Sequence, residues 1–128
     1  MTLEEALYAH LIASPGVSAL VEARVYPLRL PLSPQFPALT YQRISAPTIQ
    51  DFSGTAKTRA RIQITSWDDS YAGAKEVAGA VADALDNYSG QMGGAGGVWC
   101  DATLMTDHDL YDIELGWWYV VADYEIWY

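Results

Sequence analysis

The sequence is 128 residues long, 51% hydrophobic and 18% charged, which suits one globular domain and leaves no run near the roughly 20 apolar residues that a membrane helix needs. One cysteine, Cys100, excludes an intrachain disulfide and a cysteine-cluster metal site, and an N-terminus with Glu4, Glu5 and no basic region is not a secretory signal, so a reduced, cytoplasmic setting is expected. The net charge is −9 and all seven Lys and Arg fall between Arg24 and Lys75, so residues 76–128 carry ten acidic side chains and no basic one, which argues against gripping a nucleic-acid backbone.

The chain opens with helical signals. Thr2 and Glu5 have the spacing of a capping box, whose side chains satisfy N–H groups at a helix start. Leu3, Ala6, Leu7, His10 and Leu11 then form one apolar stripe, which Ser14, Pro15 and Gly16 end. A second short helix is expected over 17–23, with Val17, Leu20 and Val21 on its buried side. Residues 24–37 hold four of the six prolines and read as an extended connection packing through Val25, Tyr26, Leu28 and Leu30.

Strands are expected over 38–45 and 59–67, the second with Ala60, Ile62 and Ile64 alternating with Arg61, Gln63 and Thr65. The 47–57 segment between them is too long for a tight turn and predicts an extended loop. Residues 68–88 carry the clearest helical pattern. Asp68, Asp69 and Ser70 cap it, and Tyr71, Ala74, Val77, Ala78, Val81 and Leu85 form its buried face. A glycine loop is expected at 89–97, a third strand at 98–106 and a turn region at 107–116. In the closing segment the even positions from Trp118 to Tyr128 carry no charge, whereas Asp123 and Glu125 lie among the odd ones. That is a half-buried strand with Trp118, Tyr124 and Ile126 inside and Asp123 and Glu125 outside. The resulting order, α-α-β-β-α-β-β, predicts a single α+β domain over 1–128, an antiparallel sheet of about four strands with helices on one face.

The chemistry-bearing residues are few. The run Gly93, Gly94, Ala95, Gly96, Gly97 lacks the Lys-Ser or Lys-Thr pair and the helix that a phosphate loop requires. Asp107, Asp109, Asp112 and Glu114 offer oxygen ligands for a cation, without EF-hand spacing; exposed turn carboxylates are the alternative. His108 is expected in solvent, His10 hydrogen-bonded and partly buried, and Cys100 inert in the core. No G-x-S-x-G elbow is present, and no catalytic role or cofactor is expected. The aromatic excess points elsewhere. Trp117, Tyr119 and Trp127 sit on the odd face of the closing strand, where either a covering helix or a neighbouring subunit would bury them.

Four stretches in sequence order, residues 3–31, 36–45, 58–86 and 109–128, resemble a family of phage tail-completion proteins. These are also described as tail terminator or tail-to-head joining proteins and occur in tailed phages, prophages and gene transfer agents. The most specific parts are "VYP" at 25–27, "YQRIS" at 41–45, the 61–75 junction with its "SYAGAK", and the closing "IWY". The resemblance implies a non-enzymatic virion protein. It would form a hexameric ring on the head-proximal end of the tail tube, contacting the tube protein and a head-completion or connector protein. DNA would pass through the lumen without specific binding. In that setting Ile49 and Phe52 of the 47–57 segment, with Trp117, Tyr119 and Trp127, are the expected assembly contacts, unless Ile49 and Phe52 fold back onto the core. Two other readings remain: a small cation-binding module using the 107–114 carboxylates, and a homodimer formed through the last strand.

Overall fold

A computed structural model describes residues 1–50 and 56–128, the side chains of Gln50 and Ala56 excepted. Helix α1, Leu3–Ala13, starts where the Thr2 hydroxyl oxygen accepts from the Glu5 amide at 3.1 Å. The Glu5 carboxylate accepts the Thr2 hydroxyl proton at 3.2 Å, so it closes on the cap's side chain. Helix α2, Pro15–Val21, follows directly, with Pro15 in the first turn, where a missing N–H costs nothing.

Strand β1, Val25–Pro27, comes out of the proline-rich segment and pairs in parallel with β2, Ala38–Ser45. Strands β3, Thr48–Gln50, and β4, Ala56–Asp68, complete a long hairpin: β2 lies antiparallel to 61–67 of β4, and β3 to 56–58. Within the segment expected as a loop, Thr48–Gln50 are therefore paired with Ala56–Thr58, and residues 51–55 lie outside the described ones. The β-branched Thr48, Ile49 and Thr58 carry the ladder on past an irregularity at Arg43/Ser45.

Helix α3, Tyr71–Leu85, is capped by Ser70, whose hydroxyl oxygen accepts from the Gly73 amide at 3.1 Å. Strand β5, Tyr88–Met92, forms a hairpin with the start of β6, Val98–Asp112, and β7, Trp117–Trp127, runs back along β6.

The strand order is β1-β2-β4-β7-β6-β5, with β3 attached to β4. The sheet thus has seven strands instead of about four. The three additional strands are short and carry Pro27, Thr48–Gln50 and Gly90, a composition that gives little strand signal. The 107–116 turn is also shorter than expected. β6 continues to Asp112, because each residue from Asp107 to Asp112 finds a partner on β7. The reversal is confined to 113–116. There the Asp112 carboxylate accepts from the Glu114 and Leu115 amides, both at 3.0 Å, and Gly116 takes φ +73°, a conformation natural to glycine.

The helices lie on one face, as expected. Leu3, Leu7, Leu11, Val17, Val21, Val77, Val81 and Leu85 meet Ile62, Ile64, Tyr124 and Ile126 of β4 and β7, all essentially inaccessible. Each such aliphatic side chain contributes roughly 1.5–3 kcal/mol by leaving water. His10 joins this packing, its Nε2 donating to the Ala84 carbonyl at 2.9 Å and its ring 4.5 Å from that of Tyr88. Cys100 is buried in the same core, and burial, helped by Asp101, pushes its thiol up to about 11. Two expected core residues lie outside. Tyr71 is 46% exposed because its hydroxyl reaches Asp109 across the helix end, and Leu28, with φ +66°, turns outward.

Candidate assembly surfaces

The odd positions of β7 face away from the helices, and this back face is built in three zones along the strands. At one end Trp67 of β4 stacks on Tyr119, ring centroids 4.5 Å apart, and meets the edge of Trp117 at 6.2 Å. Phe36 packs on Trp117 from the proline-rich segment at 5.0 Å, and the Trp67 indole N–H donates to the Thr40 hydroxyl at 3.0 Å. Beside this cluster Leu28–Pro34, Trp67 and Trp117 line an open groove of about 490 Å³. Within the chain Trp67 packs on both Trp117 and Tyr119, and Phe36 on Trp117, and the two rings are left half-buried.

The middle zone is polar. Asp123 is 7% exposed, and its carboxylate accepts from Arg61 Nε at 3.1 Å and from Gln63 at 3.1 Å, with a further short contact to Arg61 Nη2. The expectation that Asp123 lies outside in water is thus corrected. It sits on the helix-free face, yet β4 on one side and β6 on the other enclose it. Glu125, two residues on, is half-buried.

The far end holds Trp127, whose indole donates to Glu125 and whose ring lies 5.7 Å from the Arg59 guanidinium. Trp127 also borders a shallow pocket with Lys57, Trp99 and Tyr128. Ile49 stands nearby on β3 opposite Lys57 and is exposed; Phe52 lies outside the described residues. The five expected contact residues therefore do not form one patch. Trp117 and Tyr119 mark one end of β7 and Trp127 and Ile49 the other, separated by about 8–10 residues of strand, or roughly 30 Å.

Three exposed apolar groups escaped the sequence reading. Leu28 and Leu32 project from the proline-rich segment, Leu32 at 98% exposure; Ile113 and Leu115 crown the β6–β7 turn, Ile113 at 85%; and Trp99 is 71% exposed on β6. No local signal marked Leu32, because Leu28, Leu30 and Leu32 recur at spacing two, as the inward positions of a strand would.

Strand geometry divides the 107–114 carboxylates. Alternation along β6 sends Asp107 and Asp109 to one face and Asp112 to the other. Asp109 accepts from the Tyr71 hydroxyl at 2.8 Å and from Lys75 at 3.2 Å, which hold its carboxyl below the usual range and raise both partners. Asp112 is committed to its turn. Among the described residues no group of three or more His, Cys, Asp or Glu converges as a metal site. A dimer through the last strand meets a different obstacle: β7 lies between β4 and β6 and has no free edge.

A family model described as tail completion protein gp17 matches residues 5–128 of this sequence. Among curated proteins no relative matches. The fold is similar to a chain in the structure of the virion of a native gene transfer agent particle. The TM-score is 0.76 at 20% sequence identity, over 97% of this chain and 92% of that one.

Proposed function

We propose, from the premise that this chain belongs to the tail completion protein gp17 family, that it caps the tail tube at its head-proximal end and joins tail to head as an oligomeric ring. Membership makes it a structural protein of a phage or phage-like tail, and so part of the virion. The observation that carries the proposal is the match across 5–128, which reaches every element of the fold and leaves out only the first two residues of α1.

In this reading six copies surround a lumen, the tube protein lies on one side and a head-completion or connector protein on the other. The protein's work is binding, not catalysis. Surfaces at opposite ends of β7 suit a subunit with contacts at two levels: the Trp117 and Tyr119 end with its groove, and the Trp127 and Ile49 end; Phe52, outside the described residues, is proposed as a further contact. The excess of acidic side chains after residue 75 repels phosphates, so DNA slides through without being held.

Deleting the gene from a particle-producing strain tests the proposal. Tails of unregulated length, or tails detached from heads, are expected in electron micrographs. Tails of normal length properly joined to heads would refute it.

A further inference from the structure

We propose that residues 28–34 form a strap with hinges at Leu28 and Ser33, open in this structure and able to close onto Trp67 and Trp117. This goes beyond the ring reading and does not depend on it, because it concerns the free chain.

The strap is fixed at both ends and loose between them. At its start β1 pairs with β2, and the Leu28 amide donates to the Tyr41 carbonyl at 2.9 Å. At its far end Phe36 packs on Trp117, and the Pro37 carbonyl accepts from Arg24 Nε at 2.9 Å. From Leu30 to Phe36 no backbone amide or carbonyl has a hydrogen-bond partner among the described residues. A segment with solvated backbone and few buried contacts changes conformation at low cost. Pro31 stiffens the stretch between the two hinges, so it moves as a unit.

Both hinges hold conformations that do not suit their residues. The Arg29 amide donates to the Pro27 carbonyl at 2.7 Å, which closes a γ-turn centred on Leu28. With φ +66° this turn has the rare, strained hand; its mirror image keeps the same hydrogen bond without the strain. Ser33, at φ +50°, precedes Pro34, whose ring favours extended backbone in the residue before it. Strain held at two points that bracket one loosely packed segment marks an element with two arrangements.

The open arrangement also leaves apolar surface in water on both sides of a gap. The strap is one wall of the groove of about 490 Å³, and Trp67 and Trp117 are the other. Leu28 and Leu32 are exposed on the first wall, and both indoles are only half-buried on the second. Passing Leu28 to the mirror-image turn and Ser33 to extended backbone lets the strap drop into the gap, with Leu32 against the indoles. Closure then relieves both hinges and takes apolar surface out of water, while the entropy lost in ordering the strap opposes it. Closed, the strap removes the groove from the surface; open, it presents the groove with two leucines at its rim. The chain thus carries its own cover for the Trp117 end of β7.

Leucine methyl resonances of the whole chain, with Leu32→Val to identify those of Leu32, test the proposal. A methyl packed on an indole is moved upfield by the ring current, whereas one on a side chain 98% exposed keeps its unfolded position. Ser33→Pro forbids positive φ and removes no hydrogen bond seen among the described residues, so it is expected to favour closure and move the Leu32 methyls upfield. Leu28→Gly and Ser33→Gly remove the penalty on positive φ. Each is expected to raise the open-to-closed ratio at least about fivefold and return the methyls toward the unfolded position. The parent is expected between these limits, with relaxation dispersion from exchange. Thermal melts check that each variant folds. A folded Ser33→Pro variant without an upfield shift would overturn the closure. Should that variant not fold, Leu32 methyls at the unfolded position in the parent, without dispersion, would overturn it equally. Methyls as far upfield in both glycine variants as in the parent would overturn the two hinges.

Discussion

Asp123 shows how much one side chain on this sheet can carry. It is the buried carboxylate at the centre of the helix-free face, and the three donor contacts from Arg61 and Gln63 take the place of the water it has lost. Asp123→Ala leaves those donors without their acceptor. Because Arg61 is itself nearly half exposed and can turn to solvent, the expected loss is roughly 1–2 kcal/mol in a urea titration, with Asn in its place losing less. A loss indistinguishable from zero would mean that water replaces the carboxylate without penalty. Tyr124, the next residue, points to the opposite face; its hydroxyl is buried without a hydrogen-bond partner among the described residues. Neighbours on one strand thus experience unrelated environments.

The hairpin of β5 and β6 depends on close backbone approach at one glycine. A Cβ on Gly97 would lie 2.0 Å from the Met92 carbonyl oxygen, and that oxygen belongs to the strand being paired. Gly97→Ala is therefore expected to detach β5, costing about 2 kcal/mol or more. In hydrogen exchange the amides of β5 would lose protection while those of β7 keep theirs; retained β5 protection would contradict this. This hairpin is also where sequence reading fell short. The glycines at 93–97 dominate local propensity, so 89–92 reads as loop and Tyr88 as the end of the preceding helix, although Met92 is fully buried and Tyr88 packs on the core. Four of the longer elements, α1, α3, β4 and β7, were legible because their apolar residues recur at helical or strand spacing. β1 and β3 were not, since three residues hold too little period, and tertiary pairing defines them. The site divided in the same way. Which β7 side chains face away from the helices followed from alternation, but that Trp117 and Tyr119 are covered by Trp67 and Phe36 depends on contacts between distant segments.

For the molecule as a whole, two buried acids contribute to how stability responds to alkali. The Cys100 thiol is raised from 9.0 to about 11 by burial, and Tyr124 is raised above 10.0 by the same cause. Both ionise more readily in the unfolded chain. Their contribution is therefore complete below the unfolded values and is lost as pH climbs toward the folded ones. For the thiol this window runs from about pH 9 to 11 and amounts to roughly 2 kcal/mol. Urea midpoints should fall across it, and Cys100→Ala should flatten the first part of the decline; an unchanged profile would place the thiol's titration elsewhere. The position of β7 has a consequence of another kind. The segment nearest the C-terminus is the sheet's interior strand, holding β4 on one side and β6 on the other. Until that segment has been synthesised, β4 and β6 share no strand pairing, and only the packing of α3 on both links the two halves of the sheet. The central ladder of the sheet is thus the last in chain order to close, after the strands on both of its sides have been made.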